Sequence, residues 1–323
     1  MSYYWAHCLI PSFCPSSALV TLSAICDYGS NILHTFTSRK KYLNCDDHSN
    51  IMKKNLTTQP LSHREQQLYL TLESEGRNVF RVSDLKELKA PFSYEHIRVL
   101  VQRLKRKGWV TSLGKGVYLR LPASAALSGR VYLEDPFKAA LKLFDGYLAF
   151  HSALKVHDLS EYEPFTVYVA TRNKSETLTV LKQYEIKAIT FRNRYTGYEK
   201  KDGYTVSTIS KTFFDCFFHP QYAGGYPEIL KSLHACDSMY WEEFLKYLRK
   251  FASDSLCQKI GYLLSLLIKT EYKVPKKVLN YLKSRVRVKT KLDPGRPEGK
   301  LVHEWQVYDN IGENRLLSWW LHG

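Results

Sequence analysis

The run Ser93-Tyr94-Glu95-His96-Ile97-Arg98-Val99-Leu100-Val101-Gln102-Arg103-Leu104-Lys105-Arg106-Lys107-Gly108-Trp109-Val110-Thr111 has two faces at helical spacing. Ile97, Leu100, Val101 and Leu104 recur at steps of three and four and form one apolar stripe. The opposite face carries His96, Arg98, Gln102, Arg103, Lys105, Arg106 and Lys107. Ser93 is placed to cap the helix, Glu95 suits its positive end, and Gly108 closes it. A helix with one packed face and one face of cations and amide donors is the kind that a DNA major groove accepts.

The flanks agree with that reading. Downstream, Trp109-Val110-Thr111 and Val117-Tyr118-Leu119 are β-type runs around Leu113-Gly114-Lys115-Gly116, a tight basic hairpin. Upstream, Ser62 and Glu65 form a capping box, and Leu68, Tyr69 and Leu72 predict a helix over 62–75 that stops at Gly76. Val79-Phe80-Arg81 reads as a short strand. Ser83 is expected to cap a second short helix with Asp84 in its first turn, broken by Ala90-Pro91. Three helices followed by a glycine-turned basic hairpin are the order of a winged helix-turn-helix, here over residues 61–122. Residues 61–121 hold twelve Lys/Arg against six Asp/Glu, a net +6. Ser93, Tyr94, His96, Arg98, Gln102, Arg103, Lys105, Arg106 and Lys115 are therefore the expected DNA-binding residues. Tyr94, Arg98 and Gln102 are best placed for base edges. Arg103, Lys105, Arg106 and Lys115 are best placed for phosphates. The alternative for the same unit is a protein-interaction module facing an acidic partner.

The whole chain of 323 residues carries 47 Lys/Arg against 31 Asp/Glu, a net +16, as expected of a protein that handles a polyanion. None of that excess lies in residues 1–51, where Arg39, Lys40 and Lys41 balance Asp27, Asp46 and Asp47. The apolar stretch from Cys8 to Ile25 is broken by Pro11 and Pro15 and lacks a basic leader, so it makes a poor membrane span and a poor secretory signal. Residues 1–60 are expected to be disordered or an over-extended start, with Met52 a plausible beginning. Cys8, Cys14, Cys26 and Cys45 lie early, and Cys216, Cys236 and Cys257 late, with no C-x-x-C pair. Free thiols in a cytoplasmic, reducing setting fit this pattern better than zinc or disulfides. No cofactor is implied.

Residues 131–323 read as a mixed α+β domain with a helical C-terminal part, so the fold class is α+β. Asp135-Pro136 starts a helix that reaches about Leu143. Strands are expected at Phe165–Ala170, Lys187–Phe191 and Tyr204–Ser207. Ser210 is expected to cap a helix bearing Phe213, Phe214, Phe217 and Phe218. Further helices follow near 226–235, 240–252, 255–268 and 275–284.

The order of several short motifs resembles the AbiEi antitoxin family. They are the winged helix with its Gly-Val-Tyr wing strand, then His151-Ser152-Ala153-Leu154-x-x-His157-x-Leu159, then Lys211-Thr212-Phe213-Phe214-Asp215-Cys216 with Pro220 and Ala223-Gly224-Gly225. Ile260-Gly261-Tyr262-Leu263-Leu264 and Leu292-Asp293-Pro294 continue the pattern, and the resemblance spans roughly residues 62–308. It implies the antitoxin half of a type IV toxin–antitoxin pair. On that reading the N-terminal domain binds operator DNA to repress its own operon, and the second domain is needed for neutralisation and full repression. The implied partner is a nucleotidyltransferase-like toxin, without direct contact. The first 51 residues have no counterpart in that pattern.

Catalytic readings are weaker. His151 and Ser152 are adjacent on a helix, point about 100° apart and cannot face each other. His157 is expected to be a helix-end cation or a satisfied polar group. Asp215 lies on a largely apolar helix and requires a backbone donor or cation as partner. Gly224-Gly225 reads as a turn. Glu185-Ile186-Lys187 resembles the metal-and-lysine strand of a Mg²⁺-dependent restriction-type nuclease, which also needs an acidic residue such as Glu161 or Glu163. Arg192, Arg194, Lys200 and Lys201, interleaved with Tyr195, Tyr198 and Tyr204, form a loop that is the best second polyanion site.

Overall fold

The computed structural model describes residues 58–88, 90–161, 165–297 and 299–321. The expectations for residues 1–57 and for Glu163 lie outside them. The first described helix, α1 (His63–Ser74), begins at Ser62, whose amide donates to Glu65 Oε2 at 2.7 Å. Strand β1 (Val79–Arg81) follows. The next element differs from expectation: it is a 3-10 turn over Val82–Glu87 rather than an α-helix, and Arg81 precedes it. Asp84 does not wait for a Ser83 cap. Its Oδ2 accepts from the Arg81 amide at 3.2 Å and from Lys142 Nζ at 2.6 Å, so the turn is fixed from outside.

Helix α2 (Tyr94–Arg106) has the expected N-cap, with Ser93 accepting from the His96 amide, and it buries Ile97, Leu100, Val101 and Leu104. These pack with Leu68, Leu72, Phe80 and Leu85 into one small core. Each fully buried side chain of this size contributes about 1.5–3 kcal/mol. Strands β2 (Val110–Gly114) and β3 (Val117–Arg120) make the hairpin, and the sheet order is β1-β3-β2, antiparallel throughout. Arg120, the last residue of β3, is buried. It donates to Tyr69 Oη, Glu73 Oε1 and Asn78 Oδ1 and so fastens α1 to the end of the wing.

Two short helices, α3 (Ala123–Ser128) and α4 (Pro136–Leu143), lead into the second part. Asp135 caps α4 by accepting from the Lys138 amide at 2.9 Å. A six-stranded sheet follows in the order β6-β7-β5-β4-β9-β8. Its strands are β4 (Tyr147–Leu148), β5 (Thr166–Thr171), β6 (Glu176–Val180), β7 (Tyr184–Thr190), β8 (Tyr198–Lys201) and β9 (Tyr204–Ser207). Pairings β5–β7 and β4–β9 are parallel, and the other three are antiparallel. Helix α5 (Phe150–Val156) leaves β4, and α6 (Ile209–Phe218) leaves β9. Thr208, not Ser210, caps α6 by accepting from the Lys211 amide, while Ser210 Oγ donates to the Tyr240 carbonyl. The cap lies one residue before the helix starts, and strand β9 ends at Ser207, which leaves Thr208 as the hinge residue with extended backbone.

Apolar residues of the sheet fall into two clusters. One joins Leu148, Val167, Val169, Ile186 and Val206 to Ala139, Ala140 and Leu143 of α4 and to Leu113, Val117 and Leu119 of the wing. The wing and the sheet thus share a hydrophobic core. The other cluster joins Tyr147, Phe150 and Ala170 to α6 and the helical end: α7 (Tyr226–His234), α8 (Trp241–Phe251), α9 (Asp254–Ile268) and α10 (Lys276–Ser284). A small sheet of β10 (Thr290–Lys291), β11 (Lys300–Val302) and β12 (Val307–Asp309) and two short helices, α11 (Glu313–Leu316) and α12 (Ser318–Leu321), close the chain. No helix among the described residues is long and apolar enough to cross a membrane.

Candidate nucleic-acid interface

The 3-10 turn, α2 and the wing enclose a shallow open groove of about 920 Å³. Tyr94, Arg98, Gln102 and Arg106 all line it. Their spacing of four puts them on one row of the helix, each turn advancing the row along the groove. Arg98, Gln102, Arg103, Lys105 and Arg106 are exposed. Among the described residues none of Arg98, Arg103, Lys105 and Arg106 has a carboxylate within ion-pair distance. Four guanidinium or ammonium groups on one short helix without counterions leave strong positive potential there.

The groove separates the residues expected to act together. Arg106 shares its wall with Arg98 and Gln102, whereas His96, Arg103, Lys105 and Ser93 do not line it. Ser93 is spent as the cap, and the His96 ring meets Phe92 edge-on at 5.4 Å. Lys107 is turned away: its Nζ lies 2.6 Å from Glu65 Oε2 and 2.9 Å from the Pro60 carbonyl. Lys86 Nζ sits 5.0 Å from the centre of the Tyr94 ring. Gln102 Nε2 donates to Tyr118 Oη at 2.9 Å, which orients the amide from the wing strand.

Three groove residues escaped the sequence reading. Tyr118 lies opposite the buried faces of Val117 and Leu119, a period-two signal that could have marked it. Val99 is 48% exposed on the same helix face, where an apolar group can meet a thymine methyl. Arg81 lines the groove from the other side, with Nε donating to the Lys142 carbonyl at 2.8 Å. Lys115 also reaches the groove wall, but its Nζ is held 2.6 Å from Glu176 Oε2 on β6 and 4.0 Å from the Phe144 ring centre.

The second cationic set is not one loop. Tyr198–Lys201 forms β8, half of a hairpin with β9, because its register pairs Lys201 with Tyr204 around Asp202-Gly203. Arg192 and Arg194 line a shallow groove together with Arg172 and Lys174, which follow β5 and were not singled out. Arg194 is half-buried, stacked 3.8 Å from the Phe218 ring centre. Lys200 lines a separate cleft beside β3 and α4, and Lys201 donates to the Val156 carbonyl at 2.7 Å. Tyr195 and Tyr198 pack on Tyr147, and Tyr204 Oη donates to Asp135 Oδ2 at 3.0 Å.

The other motif residues have structural partners. Ser152 Oγ accepts from the Tyr168 amide at 2.9 Å, while His151 Nε2 meets Ser160 Oγ at 2.9 Å. The two thus diverge. Buried His157 donates from Nε2 to the Ser207 carbonyl at 2.7 Å, and burial pushes its pKa down, so it is a neutral, satisfied polar group. Asp215 and Lys211, both fully buried, bond to each other one turn apart on α6. Glu185 pairs with Lys187 at 2.8 Å, and Glu161 meets Lys231 at 3.3 Å. Among the described residues no group of three acidic, His or Cys side chains is arranged to hold a metal ion. Cys216, Cys236 and Cys257 are free and buried.

Two helices joined through a 3-10 turn, with the basic second helix along an open groove and a hairpin beside it, make a winged helix-turn-helix fold. Residues 67–120, which hold most of α1, the groove helix α2 and the wing, match the family model described as "Transcriptional regulator, AbiEi antitoxin". The match ends at the last residue of β3. Comparison with curated proteins gives no match.

Proposed function

We propose that this chain represses its own operon by binding operator DNA and serves as the antitoxin of a type IV toxin–antitoxin pair in the cytoplasm. The observation that carries the reading is the row of Arg98, Gln102 and Arg106 along an open groove, with Arg98 and Arg106 lacking carboxylate partners among the described residues. Inserted in a major groove, Arg98 and the Tyr118-oriented amide of Gln102 are suited to base edges. Arg103 and Lys105, flanking that row, and Arg106 are suited to phosphates. Residues 61–122 act as the DNA-binding domain and residues 131–323 as the neutralising domain. The functional partner is a nucleotidyltransferase-like toxin encoded beside it, countered without a direct complex.

A gel shift on the DNA upstream of its own gene, with and without Mg²⁺, tests the first half. Retarded but intact DNA supports the repressor. Mg²⁺-dependent cleavage favours the nuclease reading, and no shift at all favours a protein-interaction module. Growth with the neighbouring toxin gene induced and the antitoxin supplied from an independent promoter tests the second half. Loss of growth despite normal antitoxin levels refutes the antitoxin role.

A further inference from the structure

Far along the chain from the winged helix, the ends of α6, α7 and α9 and the 292–297 loop surround a cavity of about 610 Å³. That size lies within the range of small-molecule sites. Lys259, Arg296, Arg315 and Asp293 line it, a balance of three cations to one carboxylate. Asp293 is already engaged: Oδ1 accepts from the Gly295 amide at 2.9 Å and Oδ2 from Arg296 Nε at 3.0 Å. Among the described residues Lys259 and Arg315 have no carboxylate within ion-pair distance. Partial burial lowers the Lys259 pKa, so its charge is incompletely solvated and favours an anionic companion.

The cavity is also preformed. Asn310 accepts from the Asp293 amide and donates from Nδ2 to the carbonyls of Asp293 and Pro297, which clamps the loop that presents Arg296. Helices α7 and α9 both begin at its wall, through Tyr226 and through Ser253-Ser255, and add positive potential there. Much of the remaining wall is apolar, from Phe218, Leu256, Leu292 and Ile311.

We infer that this cavity binds a phosphorylated small molecule of nucleotide size, with the phosphate held by Lys259, Arg296 and Arg315 and the body seated on the apolar wall. A phosphate monoester carries about −1.5 to −2 at neutral pH, which matches the local excess of two positive charges; a single carboxylate does not. The volume exceeds what a bare anion fills, and an apolar wall stabilises a ring system that inorganic phosphate lacks.

The test is calorimetric titration of the full chain with ATP, GTP, CTP, UTP, AMP and inorganic phosphate. At least one nucleotide is expected to bind one per chain, and more tightly than inorganic phosphate. Lys259→Gln and Arg315→Gln are each expected to weaken it about tenfold or more, the usual scale for a charged hydrogen bond. Arg315 is exposed, so its variant keeps the fold even if the Lys259 variant does not. Arg98→Ala is expected to bind the nucleotide as the wild type does, which separates this site from the DNA interface. Absence of saturable heat with all six probes at millimolar concentration overturns the inference. So does unchanged affinity in both variants, or equal affinity for inorganic phosphate and every nucleotide.

Discussion

Lys115 Nζ lies 2.6 Å from Glu176 Oε2, and this pair ties the tip of the wing to the edge strand of the six-stranded sheet. The seat is shaped for it. Phe144 lies beneath the ammonium, and Gly114 approaches Leu178 so closely that an added Cβ would come within 3.3 Å of its Cδ2. Lys115 itself holds φ of +49°, the conformation the turn requires. In the free chain the wing cation is therefore occupied. Exchanging Glu176 for a DNA phosphate sacrifices a partly exposed pair worth about 0–1 kcal/mol, so the exchange costs little.

Glu176→Gln is accordingly expected to tighten DNA binding on every sequence alike, because it releases Lys115 and removes a carboxylate from the wing surface. If α2 and the wing neutralise about five phosphates, log K against log salt has a slope near −4 to −5. Lys115→Ala is expected to flatten that slope by about one. Titrations at several salt concentrations give both quantities. An unchanged slope in Lys115→Ala means that the lysine stays on Glu176 in the complex.

Arg98→Ala removes a donor from the groove and leaves Ile97, Val101 and Leu104 packed. Operator affinity is expected to fall by about 1–3 kcal/mol, with the loss concentrated on the specific site. Thermal unfolding is expected to stay within about 0.5 kcal/mol of wild type, since the side chain is exposed and unpaired among the described residues. Antitoxin rescue from an independent promoter is expected to persist. A folded Arg98→Ala chain that no longer rescues growth shows that DNA reading and neutralisation are one property.

Residues 93–119 were legible because a helix stripe and a glycine-turned hairpin are local signals. Ile97, Leu100, Val101 and Leu104 are all buried, and Ser93 caps the helix. What the sequence hid was long-range. The Glu176 partner of Lys115 lies 61 residues away, on a strand with the mostly exposed pattern of an edge. Tyr198-Glu199-Lys200-Lys201 lacks β-branched residues and carries no local strand signal, and only pairing with β9 makes it strand β8. Asp84 shows the same limit, since Lys142 stabilises a turn whose local sequence read as an α-helix. The partners of buried Arg120 are equally distant in sequence: Tyr69, Glu73 and Asn78 lie 42–51 residues before it.

Gly261 sits within α9 directly against Trp305, where an added Cβ would fall 2.1 Å from Cζ3 of the indole. The ring is buried, and Trp305 lies in the turn between β11 and β12 of the small terminal sheet. Gly261→Ala is therefore expected to destabilise the chain by about 1–3 kcal/mol through overpacking, despite the better helix propensity of alanine. Denaturant unfolding monitored by tryptophan fluorescence measures it. A stabilised variant means that the indole has room to move.

Lys211 and Asp215 give a pH signature. Burial pushes the Asp215 carboxyl up to about 6, opposed by the Lys211 ammonium and the Arg194 guanidinium, and its Oδ1 has no hydrogen-bond partner among the described residues. Its ordinary value is 3.8. Below about pH 4 the carboxyl is protonated in folded and unfolded chains alike. Between about 4 and 6 the unfolded chain loses this proton while the folded chain retains it, so the Asp215 contribution to stability falls as pH rises. Above about 6 both forms are ionised and the contribution is constant. Asp215→Asn is expected to abolish this component, and at neutral pH to cost about 3–5 kcal/mol by leaving the Lys211 ammonium buried without its counterion. The double variant Lys211→Met, Asp215→Leu removes both charges and is expected to recover most of that loss. Urea unfolding of the three chains at pH 4, 5, 6 and 7 reads the curve. A wild-type curve that rises from pH 4 to 6 reverses the sign and means that the ion pair outweighs the desolvation of Asp215.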